Sequence, residues 1–79
     1  MQKNKIKNKK ILQRLGLNIK FYRNKLNFTQ EKLAEIIDVE RSYITAIEIG
    51  DKSPSVYCLY MIAKALNTSL NELMDINIE

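Results

Sequence analysis

The sequence lacks the residues on which most enzyme active sites depend. Its 79 residues include no histidine and a single cysteine, Cys58. Without histidine, neither a Ser–His nor a Cys–His catalytic pair can form, and one cysteine among scattered carboxylates does not make a zinc site. The two glycines are too few for a glycine-rich loop that holds a nucleotide phosphate. We therefore expect no enzymatic activity, no cofactor and no bound metal.

Glycine and proline are scarce as well. With two glycines and one proline, an architecture of many strands and turns is disfavoured, and the apolar spacing indicates an all-helical domain. A chain of this length suits one domain, and its 46% of hydrophobic residues are enough for one small core.

Long apolar runs are also absent. The longest, residues 56–63, is eight residues long and too short to span a membrane, and no apolar block follows the basic N-terminus as a signal peptide requires. The lone Cys58 excludes an intrachain disulfide and fits a reducing compartment, where we expect it to be an ordinary core or interface residue. We expect a cytoplasmic protein with no membrane partner.

Positive charge is concentrated at the N-terminus. Residues 1–14 carry six positive charges and no negative one, whereas residues 15–79 carry seven positive and nine negative charges. We interpret residues 1–10 as a flexible basic arm and residues 11–79 as a single domain. A basic arm often contacts nucleic-acid phosphates, but a solvated tail that only aids solubility fits the sequence equally well.

The spacing of apolar residues predicts five helices. Their expected ranges are 11–26, 30–37, 40–49, 56–66 and 70–74. Thr29 and Ser55 are expected N-caps, and the S-x-x-E pattern of Ser69 and Glu72 predicts a capping box. Gly16 is expected to be a weak spot in the first helix, costing up to ~1 kcal/mol relative to alanine.

The second and third predicted helices form a unit, residues 29–50. Each has one apolar face, and the small Ala34 allows the two helices to approach closely. Asp38 lies where the chain must reverse. The reversal needs the left-handed backbone conformation, which Asp tolerates better than most residues. Two short helices joined at a steep angle by a tight turn are a helix-turn-helix.

The fourth predicted helix is apolar on nearly every side. Its core face carries Leu59, Ile62, Ala63 and Leu66. Three further large residues point elsewhere: Tyr57, Tyr60 and Met61. Because so small a chain cannot cover both faces, we favour a partner subunit on the second face. The alternative is two surface tyrosines with their hydroxyls in water.

Residues 28–73 resemble the Cro/C1-type (XRE-type) helix-turn-helix family. The matching residues are Thr29-Gln30-Glu31, Leu33-Ala34, Val39, Ile44, Ile47-Glu48, Gly50, Pro54-Ser55, Ala63-Lys64-Ala65-Leu66 and Ser69-Leu70. A narrower resemblance, in Arg41-Ser42-Tyr43-Ile44, is to the recognition helix of controller proteins in restriction–modification systems. The resemblance implies a compact, five-helix, lambda-repressor-like fold and a transcriptional regulator that binds double-stranded DNA, at a roughly palindromic operator, as a homodimer.

The resemblance also implies a DNA-binding site. Helix three enters the major groove, and the start of helix two lies near a phosphate. The implied DNA-binding residues are Gln30, Arg41, Ser42, Tyr43, Thr45, Ala46, Lys52 and Ser53. Arg41 is expected to read guanine, although it could instead hold a phosphate or pair with Asp38. The family's buried ion pair is expected between Arg23 and Glu48, and the dimer interface at Tyr57, Tyr60 and Met61.

Three residues depart from the family pattern, and one of them is Asp38, at the usual glycine position of the turn. Ile49 and Asp51 stand where many relatives carry residues that reach phosphates, so that Lys52, Ser53 or the basic arm must compensate. The main alternative to a regulator is an antitoxin or another protein-interaction module on the same fold. The few residues after Met74 leave little room for a toxin-binding segment, which favours the regulator.

Overall fold

Five helices account for the regular structure of the protein. The computed structural model describes the backbone of residues 5–76 and the side chains of residues 8–76. The helices are α1 (Lys5–Lys25), α2 (Gln30–Ile37), α3 (Arg41–Ile49), α4 (Val56–Ala65) and α5 (Leu70–Leu73). Residues 5–76 contain no strand. The predicted all-α class and the order of the five helices are confirmed.

The start of α1 differs from the prediction. The helix begins at Lys5 rather than near residue 11, because the early turns are supported by contacts that their polar sequence does not reveal. Lys9 Nζ lies 3.0 Å from Asp51 Oδ1, and Gln13 packs against Gly50. The predicted start is therefore wrong. The division into a flexible arm (1–10) and a domain (11–79) stays a prediction, and residues 1–4 lie outside the described residues.

Side-chain caps begin three of the helices as predicted. Thr29 Oγ1 accepts the N–H of Lys32 at 2.9 Å, and Ser55 Oγ accepts the N–H of Cys58 at 3.0 Å. Ser69 and Glu72 form the reciprocal capping box of α5. Each of these bonds satisfies a backbone donor that a helix start leaves without an intrahelical partner.

Left-handed backbone conformations follow four of the five helices. Asn27, Asp38 and Asn67 have φ values of 59°, 61° and 56°, and Gly50 has a φ of 86°. Asn and Asp adopt this region more readily than other residues with side chains. The chain therefore reverses sharply between α2 and α3 although Asp38 takes the place of the usual glycine.

All five helices contribute to one core. Its largest fully buried side chains are Ile19, Leu33, Ile44, Ile47, Ile62 and Leu73. The helices α1 and α5 meet there, since Asn18 Nδ2 donates to the carbonyl oxygen of Leu73 at 2.9 Å. The described chain has extents of 36 × 22 × 20 Å.

Gly16 lies where α1 crosses the end of α3. A Cβ at this position would lie 2.3 Å from the carbonyl oxygen of Glu48 and 2.5 Å from that of Ile47. Main-chain atoms cannot yield as a flexible side chain can, so the crossing requires glycine. The expectation that Gly16 weakens the fold relative to alanine is therefore wrong, and the reason is an interhelical contact.

Candidate nucleic-acid interface

The turn between α2 and α3 holds the two helices of the motif together. The N–H of Val39 donates to the carbonyl oxygen of Ala34 at 2.9 Å, which closes the turn around the left-handed Asp38. Leu33 and Ala34 of α2 and Ile44 of α3 are buried in the shared core. With its inner face held in this way, α3 directs its other face outward.

The outward face of α3 carries four of the eight predicted DNA-binding residues: Arg41, Ser42, Thr45 and Ala46. Arg41, Ser42 and Ile49 are exposed, and Thr45 and Ala46 are half-buried. Only two ion pairs occur among the side chains of residues 8–76, and Arg41 belongs to neither. Arg41 therefore does not pair with Asp38, and its guanidinium remains available to a partner.

The segment after α3 continues this surface. Lys52 and Ser53 are both exposed in the loop of residues 50–55 that joins α3 to α4. Asp51 lies in the same loop and pairs with Lys9 of α1 at 3.0 Å. This pair is not predictable from local sequence patterns, because its partners are separated by 42 residues.

Behind the surface, Arg23 and Glu48 form a buried ion pair, as expected. Arg23 Nε donates to Glu48 Oε2 at 2.6 Å and Nη2 donates to Oε1 at 3.0 Å. The third guanidinium nitrogen, Nη1, donates to the carbonyl oxygen of Phe28 at 2.6 Å. Both side chains are more than nine-tenths buried. The pair thus fastens α1 to α3 and to the start of the α2 segment.

Hydrogen bonds connect this pair to the outward face. Gln30 Nε2 donates to Glu48 Oε1 at 2.9 Å, and Gln30 Oε1 accepts from the hydroxyl of Thr45 at 2.7 Å. An amide nitrogen has two hydrogens, and the bond to Glu48 uses only one of those on Gln30. The sequence indicated Gln30 and Thr45 as separate site residues, but not the bond between them.

Tyr43 has a different orientation from the rest of the predicted site. It is half-buried against the core, in a small pocket that also contains Ile37, Val39 and Cys58. Burial, followed by the neighbouring Cys58 thiol, raises the pKa of the Tyr43 phenol. Burial likewise raises the pKa of the Cys58 thiol. The phenol group therefore lies toward α4, and its predicted DNA contact stays a prediction.

The predicted dimer residues share the outer face of α4. Tyr57 is 72% exposed and Tyr60 is 47% exposed, whereas Met61 is half-buried. Val56, which the sequence argument did not include, is 81% exposed beside them. Lys64 Nζ lies 5.6 Å from the centre of the Tyr60 ring, a cation–π distance. This face is apolar and accessible in the single chain.

Neither a membrane-spanning helix nor a metal-binding cluster occurs among the described residues. Within them, no helix has the length and apolar character that a membrane crossing requires. No cluster of three or more His, Cys, Asp or Glu side chains with metal-binding geometry occurs there either.

The chain resembles several known proteins. Residues 19–73 match the family described as "Helix-turn-helix". The control protein C.SmaI of Serratia marcescens is 42% identical over 60 residues, which cover 76% of this chain and 71% of that protein. The control protein C.BamHI of Bacillus amyloliquefaciens is 40% identical over 52 residues, or 66% of this chain and 64% of that protein.

Solved structures show the same fold. The restriction–modification controller protein C.AhdI from Aeromonas hydrophila aligns with a TM-score of 0.76 at 29% identity, over 78% of this chain and 94% of that one. The clp gene regulator ClgR from Corynebacterium glutamicum aligns with a TM-score of 0.79 at 26% identity, over 82% of this chain and 69% of that one. The family match covers most of the residues that form α1 to α5. The chain therefore belongs to the Cro/C1-type (XRE-type) helix-turn-helix family of DNA-binding transcriptional regulators, which are not enzymes.

Proposed function

We propose that the protein regulates transcription by binding a roughly palindromic operator as a homodimer, with α3 of each subunit in the major groove. The observation that carries the proposal is the outward face of α3. It presents Arg41, Ser42, Thr45 and Ala46 on a helix whose other face is buried in the core. An α-helix fits the major groove, and the residues near its N-terminus reach the base edges.

Arg41 is the strongest candidate for reading sequence. It occupies the first position of α3, and it is exposed. Its planar guanidinium matches the two acceptors of guanine, O6 and N7, whereas lysine cannot reproduce both bonds. Ala46 offers a methyl group for contact with a thymine methyl. In this arrangement Arg41 sets the preference for one base pair in each half-site.

Phosphate contacts position the motif on the duplex. Gln30 lies at the first turn of α2 with one amide hydrogen free by count, and helix N-termini bind phosphates through unpaired N–H groups. Lys52 and Ser53 lie beyond the other end of α3. These contacts fix register but do not read sequence.

The outer face of α4 supplies the dimer interface in this proposal. A two-fold interface uses the same patch on both subunits, so one exposed face containing Tyr57, Tyr60 and Val56 is sufficient. Tyrosine is enriched at such interfaces because it combines apolar area with a polar tip. The dimer would place the two copies of α3 about one helical turn of DNA apart, roughly 34 Å.

We infer that the regulated genes belong to a restriction–modification system. Two relatives with at least 40% identity are control proteins, and a structural relative is a restriction–modification controller. The sequence Arg41-Ser42-Tyr43-Ile44 in α3 supports the same subgroup. A cytoplasmic location is part of the proposal, because the target is DNA.

Selection of bound sequences from random duplex DNA tests the proposal. We expect an inverted-repeat site with half-sites about one turn apart, bound by two chains as measured by sedimentation. Arg41→Ala should relax the choice at one base pair of each half-site, whereas Lys25→Ala, beside Leu66 and Glu72, should retain the full preference. Enrichment of no sequence, or of a non-repeated site bound by one chain, would contradict the proposal.

A further inference from the structure

One face of α1 carries polar residues in a regular stripe. Lys9, Gln13, Gly16 and Lys20 follow one another at steps of four, three and four residues, the spacing of a single helix face. Gly16 touches the carbonyl groups at the end of α3, and Gln13 packs against Gly50. The stripe therefore faces the end of α3 and the loop that follows it.

The first cation of the stripe reaches the loop of residues 50–55. Lys9 Nζ lies 3.0 Å from Asp51 Oδ1, and the two side chains are 52% and 57% exposed. An exposed pair of this kind contributes only about 0–1 kcal/mol to stability. Its main effect is electrostatic, since it offsets a carboxylate in the same loop as Lys52 and Ser53.

The other cation of the stripe lies near the start of α2. Lys20 shares a groove with Gln13 and Leu17 of α1, with Gln30 of α2, and with Ile49 and the Arg23-paired Glu48 of α3. The first turn of α2 presents backbone N–H groups at the positive end of a helix dipole. Lys20 is thus next to the position where the proposed function places a phosphate.

Charge on α1 favours an external anion. The helix has no acidic residue in its first turn, and the sequence contains none before Glu31. Cations near a helix N-terminus oppose the helix dipole, whereas anions there stabilise it. Asp51 supplies one such anion for Lys9, and a row of phosphates would supply the others.

We propose that the Lys9–Lys20 stripe of α1 is a further contact surface for DNA phosphates. Lys9 offsets Asp51 so that the loop after α3 can approach the backbone, and Lys20 joins Gln30 at the phosphate beside α2. The two cations are roughly 16 Å apart along the helix, at 1.5 Å per residue. This inference rests on the proposed function, because it needs α3 in the major groove. In this inference, α1 supplies the phosphate contacts that Ile49 and Asp51 cannot make.

DNA is the partner that the position of the stripe favours. Both ends of the stripe lie beside the C-terminal part of α3: Lys9 at the loop of Asp51, and Lys20 in the groove with Ile49 and Gln30. A duplex lying on α3 would therefore present its phosphates to both cations. An acidic protein partner, by contrast, would not have to contact Lys9 and Lys20 at the same time.

The test compares three charge-neutralising variants of the full chain on the operator selected above. Lys9→Gln and Lys20→Gln change the stripe. Lys25→Gln is the matched control, because Lys25 lies on the same helix but outside the stripe, over the rings of Phe21 and Tyr22. Affinity is measured from 50 to 200 mM salt. Each stripe variant should lower the log–log salt slope by about 0.9. Over that fourfold salt range, its loss of affinity should be about 3.5-fold smaller than that of the wild type.

A fourth variant, Asp51→Asn, separates a DNA role from a structural one. Lys9→Gln and Asp51→Asn remove the same ion pair, so a purely structural pair would shift DNA affinity in the same direction in both. In our proposal they act oppositely: Lys9→Gln weakens binding and Asp51→Asn strengthens it. Thermal melting of each variant checks that folding is retained.

The outcomes distinguish this inference from the proposed function. If the wild type selects no duplex, both are overturned. If it selects an operator but the two stripe variants match Lys25→Gln in slope, only the stripe is overturned. Shifts of DNA affinity in the same direction for Lys9→Gln and Asp51→Asn would also overturn the stripe alone.

Discussion

Arg23 and Glu48 pair across the interior through two nearly parallel hydrogen bonds, of 2.6 and 3.0 Å, between residues 25 positions apart in sequence. Their side chains are 8% and 2% exposed. A charge pair removed from water to this extent is stable only when every polar atom finds a partner. The carbonyl oxygen of Phe28 accepts the remaining bond from Arg23, and Gln30 donates a further bond to Glu48.

Removing one partner of this pair should be costly. We expect Arg23→Ala or Glu48→Ala to lower the free energy of unfolding by ~3 kcal/mol, because the remaining charge stays buried without compensation. The double variant should lose much less than the sum of the two. Chemical denaturation of all four proteins measures this coupling, and simple additivity would show that the pair does not act as a unit.

A second prediction concerns the crossing of α1 and α3. Helix propensity alone predicts that Gly16→Ala stabilises the protein by up to ~1 kcal/mol. The contact of Gly16 with the carbonyl groups of Glu48 and Ile47 predicts the opposite, a loss of about 1–3 kcal/mol. Asn24→Ala, at an exposed position of the same helix, is the matched control and should be neutral or slightly stabilising. A stabilised Gly16→Ala variant would contradict the observed crossing.

A third prediction separates base reading from phosphate binding at Arg41. If Arg41 reads guanine, Arg41→Ala should cost ~1–3 kcal/mol on the preferred site and relax the choice at one base pair. If it holds a phosphate, all sequences should weaken alike and the salt slope should fall by about one. Binding is measured on the selected operator and on its variants at that base pair, at two salt concentrations.

A fourth prediction concerns the outer face of α4. Tyr57→Ala combined with Tyr60→Ala should weaken dimerisation at least tenfold, because both rings would lose their contact area in each subunit. Phe21→Ala is the control, since Phe21 is a similarly exposed aromatic residue, 57% accessible, on α1. Sedimentation over a range of concentrations measures the effect. Equal dimerisation by both variants would place the interface elsewhere.

A fifth prediction concerns acid sensitivity at α5. The hydroxyl of Thr68, followed by the backbone N–H of Ser69, lowers the pKa of the Glu72 carboxyl below its ordinary value. Since the folded-state pKa is the lower one, this group contributes stability above its unfolded-state pKa and loses it as the pH falls through the folded-state value. The difference in melting temperature between wild type and Glu72→Gln should therefore be present at pH 7 and vanish in acid. Glu35→Gln, on the exposed side of α2, controls for the loss of one surface carboxylate. A difference that is constant with pH would contradict the prediction.

Features set by neighbouring residues could be predicted from the sequence. The caps at Thr29, Ser55 and Ser69 and the reversal at Asp38 follow from bonds within a few positions. These local signals, together with the apolar spacing, were sufficient for the five helices and their order. The resemblance to a known family then indicated Arg23 and Glu48 as partners.

Features that depend on distant contacts could not be predicted in the same way. The requirement for Gly16 and the early start of α1 both arise from the end of α3, more than 30 residues away in sequence. The spacing of Lys9, Gln13 and Lys20 on one helix face was visible in the sequence, but it had no meaning until the helix was known to extend that far. The orientation of Tyr43 toward Cys58 likewise depends on how α4 packs.

The chain of hydrogen bonds from Glu48 through Gln30 to Thr45 constrains only part of the outward face of α3. Gln30 and Thr45 are already held in one arrangement before any partner arrives, whereas Arg41 and Ser42 are exposed. Ordering a long side chain on association costs about 0.5–1.5 kcal/mol, and that cost falls on the exposed end. If Arg41 and Ser42 read the operator as we propose, substitutions there change the preferred target without disturbing the interior, so that target preference and fold stability can evolve separately.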